Sequence, residues 1–241
     1  MSKMGKIVVA VVAVVVVLGG GLWYFVLRDT APPAANLSAI DVPTTTGGPS
    51  GTGGSGTTAT ASGSADGTWA VVAGEDVFVG YRIDELFGGQ TVKKTAAGRT
   101  PAVTGTVVIE GSTIESATFT ADVTKLASDD PRRDGALGSR GLQTETFPEA
   151  TFTLTEPIEL SAAPTEGEEI TVSATGDLTL HGTTKPVTLD LTAKWSGSAI
   201  TVAGSAPIVL ADFGMEAIDI ANVVTTDDHG ILELQLVLQP G

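Results

Sequence analysis

Residues 169–195 read as one long β-hairpin. The first arm places Val172, Ala174, Gly176, Leu178 and Leu180 at alternate positions, with Thr171, Ser173, Thr175, Asp177 and Thr179 between them. Period-two alternation sends successive side chains to opposite faces, so the arm has one dry face and one wet face. His181-Gly182-Thr183-Thr184 interrupts the pattern, and Gly182 offers a backbone free to turn where other residues resist. The second arm sets Val187, Leu189, Leu191, Ala193 and Trp195 against Thr188, Asp190, Thr192 and Lys194. Such arms span roughly 33 Å at about 3.3 Å per residue. Two strands of this length are not stable alone, so the pattern predicts a larger curved sheet or barrel.

The same alternation recurs along the chain. Val77, Val79, Tyr81 and Ile83 precede an expected turn over Asp84-Glu85-Leu86-Phe87-Gly88-Gly89. Residues 104–109 and 114–123 predict a hairpin about Glu110-Gly111-Ser112, with Ala117, Phe119, Ala121 and Val123 on one face. Ala150, Phe152 and Leu154 form a short set after Pro148, and Ile200 and Val202 follow Trp195. Leu232, Leu234, Leu236 and Leu238 alternate with Glu233, Gln235 and Val237 near the end. About eight antiparallel strands with little helix make this an all-β chain, an up-and-down barrel or a sandwich. Two excursions break the rhythm. Residues 128–146 predict a loop with a short helix, opened by Asp129-Asp130-Pro131. The other runs from Ala211-Asp212-Phe213-Gly214-Met215 to about Asp228, and excursions of this size often serve as lids or binding loops.

The first 68 residues follow different rules. Residues 7–27 are apolar and uncharged, matching the roughly 20 residues needed to cross a hydrocarbon core of about 30 Å. Lys3 and Lys6 precede the run, while Arg28 is offset at once by Asp29. This bias predicts a cytoplasmic N-terminus and an extracytoplasmic chain after Arg28. Trp23, Tyr24 and Phe25 stand near the outer end, where interfacial aromatics belong. A cleaved signal peptide is the competing reading, but its apolar region would be too long and no clear cleavage site follows before Pro32-Pro33. Residues 1–28 are thus expected to be a single-pass membrane anchor. Residues 29–68 are rich in Gly, Ser, Thr, Ala and Pro and lack aromatics, a composition that predicts a disordered linker. A flexible chain of this length reaches on the order of 35 Å, at about 5–6 Å × √n. The folded domain is expected over residues 69–241.

Charge and composition then narrow the chemistry. The net charge is −15, and residues 69–241 carry all of it, with 10 Lys and Arg against 25 Asp and Glu. Such a surface repels nucleic acid and anionic headgroups. The chain has no cysteine, which removes disulfides, thiolate metal sites and thiol nucleophiles. His181 and His229 are the only histidines, too few for a multi-His metal site. Thr226-Asp227-Asp228-His229-Gly230 reads as a polar turn before the last strand, and His181 as a turn residue. Arg132, Arg133, Asp129 and Asp134 could pair locally and cap the short helix, or meet a ligand phosphate at a barrel mouth; capping and local pairing are the simpler reading. No catalytic triad, phosphate loop or dinucleotide fingerprint follows a suitable strand, so neither an enzyme nor a cofactor is expected.

Four ordered blocks resemble a known family: Arg133-Asp134 with Leu137; Thr146-Phe147-Pro148-Glu149-Ala150-Thr151-Phe152; Gly176-Asp177-Leu178-Thr179-Leu180-His181-Gly182-Thr183-Thr184-Lys185-Pro186-Val187-Thr188-Leu189; and Asp212-Phe213-Gly214. From Trp69 onward the chain is similar to the YceI-like, polyisoprenoid-binding proteins of the bacterial envelope. The resemblance implies an extended lipocalin-like antiparallel barrel around a lipid cavity. Where that family's early strand carries histidines near its ends, this chain has Val77 and Glu85.

Small residues at candidate inward positions, Ala117, Ala121, Ala174, Gly176 and Ala193, are compatible with such a cavity, and only nine aromatics from Trp69 onward could plug it. The alternative is a solid β-core filled by Phe119, Phe152, Leu189 and Trp195. With the resemblance, the expectation is a tethered carrier of a long apolar lipid, an isoprenoid such as a polyprenyl chain or isoprenoid quinone. Its expected lining is Val79, Tyr81, Phe119, Phe152, Leu178, Leu180, Leu189, Leu191 and Trp195, with Leu137, Phe147 and Phe213 near an opening. A solid-cored envelope interaction or stress-response module is the alternative. The lipid and the oligomeric state, monomer or dimer, stay open.

Overall fold

The computed structural model describes residues 31–40, 63–87, 92–220 and 224–241. In chain order its strands are β1 (Gly67–Val71), β2 (Phe78–Phe87), β3 (Val92–Thr100), β4 (Val103–Glu110), β5 (Thr113–Asp122) and β6 (Glu149–Leu154). They continue with β7 (Ile158–Glu159), β8 (Glu169–Leu180), β9 (Thr183–Ser196), β10 (Ala199–Val209), β11 (Asp219–Ile220) and β12 (Val224–Pro240). Every pairing is antiparallel.

Twelve segments make a ring of eight. β1 and β2 lie end to end along one edge of β12, and β3 and β4 lie end to end beside them. Each pair therefore acts as one broken strand. From there the ring runs through β5, β6, β8, β9 and β10 back to β12. Nearly every strand sits beside its sequence neighbour, which makes this an up-and-down barrel. Closure also removes the exposed edges that a sandwich would keep.

The long hairpin is β8 and β9. His181 and Gly182 form its two-residue turn with φ of 50° and 71°, the left-handed geometry that matches the twist of the flanking strands. The polar face carries a ladder on the outer wall: Ser173 bonds Asp190 at 3.1 Å, and Thr175–Thr188 and Thr179–Thr184 bond at 2.9 and 2.8 Å. Such cross-strand pairs contribute about 0.2–1 kcal/mol each. Ala174, Leu178, Leu189 and Trp195 are buried on the inner face.

The two ends of the barrel differ. Trp69, Ile109, Trp195, Ile200, Leu238 and Ala65 pack together as a floor. Both indoles are satisfied, since Trp69 Nε1 donates to Ala65 O at 2.8 Å and Trp195 Nε1 to Gly197 O at 2.7 Å. At the other end, helix α1 (Pro131–Ala136) leads straight into a π-turn (Leu137–Gly141). Asp130 caps the helix by accepting from Arg132 N, and Pro131 opens its first turn.

Several boundaries differ from the sequence reading. The expected turn over residues 84–89 is strand as far as Phe87, because Asp84 faces out to Lys93 at 2.7 Å and Glu85 faces in to Arg133. β3 has no hydrophobic alternation to announce it. Its inward residues Ala96, Gly98 and Thr100 are small and lie opposite Ile83, Tyr81 and Val79. The last strand starts at Val224 rather than after Asp228, and a register shift between Thr226 and Gly230 hides the alternation.

Within the stretch read as linker, residues 32–36 lie along the outer wall of β12, β2 and β3, and Leu37–Ala39 lie against β9 and β10. Residues 1–30, including the apolar run 7–27, and residues 41–62 of the linker lie outside the described residues. Among the described residues no helix is long and apolar enough to cross a membrane.

Candidate binding cavity

The mouth half of the barrel encloses a cavity of about 550 Å³. The odd residues of β2 supply one wall, as Val79, Tyr81, Ile83 and Phe87. Ile208 and Leu232 come from β10 and β12, and Leu210, Met215 and Ile218 from the excursion after β10. Leu137 and Leu142 close over it from the helical segment, and Leu180 reaches in from the hairpin. The lining is mainly carbon because the alternation of four strands and one amphipathic turn converges on it.

Glu85 and Arg133 form a charged pair within this lining. Glu85 is 4% exposed, and Arg133 meets it with two bonds, Nε to Oε1 at 2.7 Å and Nη2 to Oε2 at 3.0 Å. Such a fork satisfies both groups where either alone would be costly to bury. The same guanidinium donates to Ser128 Oγ at 3.1 Å and to Asp129. Asp134 accepts from Ser128 N at 3.0 Å and from its hydroxyl at 2.6 Å. The pair therefore ties the mouth helix to β2. Arg133 thus reaches across the barrel, whereas Arg132 pairs with Asp130 at 3.2 Å in solvent, the local pairing the sequence suggested.

Tyr81 stands beside that pair. Its ring lies on Gly98, where an added Cβ would come within 2.5 Å of Cε1. Its hydroxyl is buried with no hydrogen-bond partner among the described residues. Burial pushes the phenol well above its ordinary value, with Asp134, Glu85 and Asp129 acting in the same direction and Arg133 opposing them. Tyr81 therefore presents to the cavity a neutral hydroxyl able to exchange a hydrogen bond with a polar atom of an occupant.

The floor half is nearly solid, with a void of about 90 Å³. The small residues expected to leave room mostly do not. A Cβ on Gly176 would lie 2.5 Å from Phe152 Cζ, one on Gly105 2.4 Å from Phe119 Cδ1, and one on Gly204 2.4 Å from Leu191 Cδ2. The large side chains occupy the glycine positions. Ala117, Ala174 and Ala193 line only the small void.

The twelve residues singled out from sequence divide accordingly. Val79, Tyr81, Leu137 and Leu180 line the large cavity. Phe119, Phe152, Leu189, Leu191 and Trp195 line the small void. Leu178 and Phe213 are buried in the core and line neither. Phe147 packs edge-on against His181 with centroids 4.8 Å apart, away from both. Sequence reading passed over Ile83, Glu85, Phe87, Ile208, Leu210, Met215 and Ile218. A strict continuation of the alternation through Ile83, Glu85 and Phe87 would have found the first three.

The histidines play structural parts. His181 Nδ1 lies 3.1 Å from Phe213 O, so it carries the proton and donates. His229 is exposed and pairs with Asp228 at 2.7 Å. Asp227, Asp228 and His229 converge within reach of one ion, but Lys93 already neutralises Asp227 at 3.4 Å.

Among solved structures, a polyisoprenoid-binding domain from Saccharophagus degradans aligns over 72% of this chain and 98% of its own, with a TM-score of 0.56 and 18% identity. That likeness concerns the fold. A UPF0312 protein of Photorhabdus laumondii is 37% identical over 105 residues, 41% of this chain and 50% of the relative. Protein YceI of Escherichia coli O157:H7 is 34% identical over 104 residues, 40% of this chain and 50% of the relative. The chain spans about half the length of these two curated relatives. The YceI-like domain profile covers residues 70–238, from the first strand of the ring to the last, and the chain belongs to the YceI-like family.

Proposed function

We propose that this chain is an extracytoplasmic, membrane-tethered binding or carrier protein for a long apolar lipid, an isoprenoid such as a polyprenyl chain or isoprenoid quinone. The observation that carries this reading is the cavity of about 550 Å³ in the mouth half, lined mainly by apolar side chains, with Tyr81 and the Glu85–Arg133 pair among its polar groups. Its volume falls within the roughly 300–1,000 Å³ of small-molecule sites. Burial of an extended chain there contributes about 0.8 kcal/mol per CH₂, which favours retention without any charged contact. The relative from Saccharophagus degradans, described as polyisoprenoid-binding, supports the same ligand class. Tethering rests on the uncharged run 7–27 and on the Lys3 and Lys6 bias. The reading is binding rather than catalysis: Glu85 and Arg133, the buried charged pair of the cavity, are bonded to each other.

Native mass spectrometry of the full chain, extracted in detergent from alkali-washed membranes, tests this reading. A discrete added lipid mass is expected on the wild-type protein. Leu232→Trp, which fills the cavity, should lose that mass while the barrel stays folded. Wild-type protein without added mass after incubation with polyprenol-loaded vesicles would overturn the lipid reading. Release of the intact protein by alkali would overturn the tether.

A further inference from the structure

The outer wall of the barrel carries a buried carboxylate. Outward positions of a barrel strand normally meet water, yet Glu233 on β12 is 1% exposed. Arg99 binds its Oε1 through Nε at 2.9 Å and Nη2 at 2.8 Å, and Arg82 Nη1 stands 3.7 Å from Oε2. What covers the cluster is the chain's own residues 32–36. Arg82 donates to Pro32 O at 2.7 Å and Arg99 to Pro33 O at 2.5 Å. In return Ala35 N donates to Glu233 Oε2 at 3.2 Å, and Asn36 N to Gln235 Oε1 at 3.3 Å. Gln235 is itself oriented by donating to Asp76 O at 2.9 Å.

The chemistry suits this occupant. Consecutive prolines favour an extended backbone and present carbonyls without N–H groups, which is what two guanidinium groups can read. The first backbone N–H groups after them, offered by Ala34, Ala35 and Asn36, include two that meet the acceptors.

The segment also has a direction. Pro32 sits at Arg82, which pairs with Ile231, and Asn36 sits at Gln235, which pairs with Phe78. Rising numbers along β12 lead from the cavity mouth at Val224 and Leu232 to the floor at Leu238. The segment therefore runs with its Pro32 end toward the mouth and its Asn36 end toward the floor. Leu27 and Pro32 are five residues apart, a span of no more than about 18 Å at 3.6 Å per residue.

We propose that Arg82, Arg99, Glu233 and Gln235 form a clip for residues 32–36, and that the clip holds the cavity mouth toward the bilayer. The orienting role rests on the membrane-anchor reading above. A free linker of residues 29–68 would let the barrel tumble, whereas the clipped chain leaves only residues 28–31 between the membrane run and the wall. The mouth is then presented to the surface from which a lipid would be drawn.

Two readouts on the full chain separate the clip from the orientation. The first is hydrogen exchange followed by mass spectrometry. The Ala35 and Asn36 amides should exchange at least tenfold more slowly than an unprotected peptide. Ala35→Pro removes one donor without touching the barrel, so protection of Asn36 should be lost while strand amides are unchanged. Exchange of wild-type Ala35 and Asn36 at the unprotected rate would overturn the clip.

The second readout uses the absence of cysteine. Glu216→Cys at the mouth and Glu110→Cys at the floor, each carrying a fluorophore, are reconstituted in phosphatidylcholine–phosphatidylglycerol vesicles with nitroxide-headgroup lipid. Stronger quenching at residue 216 than at 110 is expected, becoming equal in the Ala35→Pro background. Equal quenching without that substitution would overturn the orientation. No quenching at either site, with Asn36 still protected, would overturn the anchor and the orientation together while leaving the clip standing.

Discussion

Tyr81 carries its hydroxyl into a mainly apolar cavity where no group of the described residues bonds it, at a cost on the order of 1–3 kcal/mol. Phe would avoid that cost and pack equally well on Gly98. The neutral phenol also makes a prediction about pH. Its value is raised in the folded state, chiefly by burial, so the folded chain holds the proton more tightly than the unfolded chain does. The stability this adds is fully present below about pH 10, the unfolded value, and is lost as pH rises beyond it. Denaturant unfolding at pH 7 and pH 11 should show a larger loss for wild type than for Tyr81→Phe. Equal losses would mean that Tyr81 ionises as freely as in the unfolded chain. The neighbouring Glu85–Arg133 fork is the other residue-scale feature, and neither partner announced it: Glu85 was hidden in an apparent turn, and Arg133 in a run of charges that suited helix capping.

At the scale of elements, each small inward residue has a large neighbour leaning on it. β8 meets β6 where Gly176 lies opposite Leu154, and Phe152 folds its ring over the glycine. A Cβ at Gly176 would also meet the backbone oxygen of Thr153 at 2.4 Å, which cannot swing away. Gly176→Ala should therefore cost about 1–3 kcal/mol through overpacking. Gly135→Ala in α1 should behave oppositely. Nothing lies within 4 Å of the added methyl and its φ is not positive, so up to about 1 kcal/mol of helix propensity is gained. Thermal unfolding of the two variants against wild type decides both. A neutral Gly176→Ala would show that Phe152 is free to repack and that the floor half is looser than its geometry.

The whole molecule closes its ring by backbone pairing of β1 and β2 with β12, with no cross-link to assist. Its floor is packed and its mouth half is open, so stability and binding are assigned to opposite ends of one sheet. The side chains of the Asp227–His229 cluster lie outside the hydrophobic core. Unfolding midpoints of the full chain should consequently be unchanged by a chelator or a thiol reductant. A chelator-dependent drop would give that cluster a structural ion. The outer-wall contact of residues 32–36 belongs to this scale too, since it relates the barrel to whatever precedes it in the chain.

Alternation was enough to read the all-β class, the long hairpin with its turn, the hairpin of β4 and β5, and the inward faces of β6, β8 and β9. A side chain's face depends only on its position along a strand, so period two reports it directly. Composition suggested a domain boundary at residue 69, whereas β1 begins at Gly67 and Ala65 already packs into the floor. Three things waited for the tertiary structure. β3 became a strand because Val79, Tyr81 and Ile83 supply the bulk that its own Ala96, Gly98 and Thr100 lack. The cavity lies in the mouth half because Phe119, Phe152 and Leu191 fill the space beside the small residues below. Residues 32–36 found a place on the wall because Arg82, Arg99 and Glu233, far apart in sequence, meet only when β2, β3 and β12 pair. Faces are local and can be read from a pattern; empty space and charge clusters depend on which faces meet, and only the closed barrel decides that.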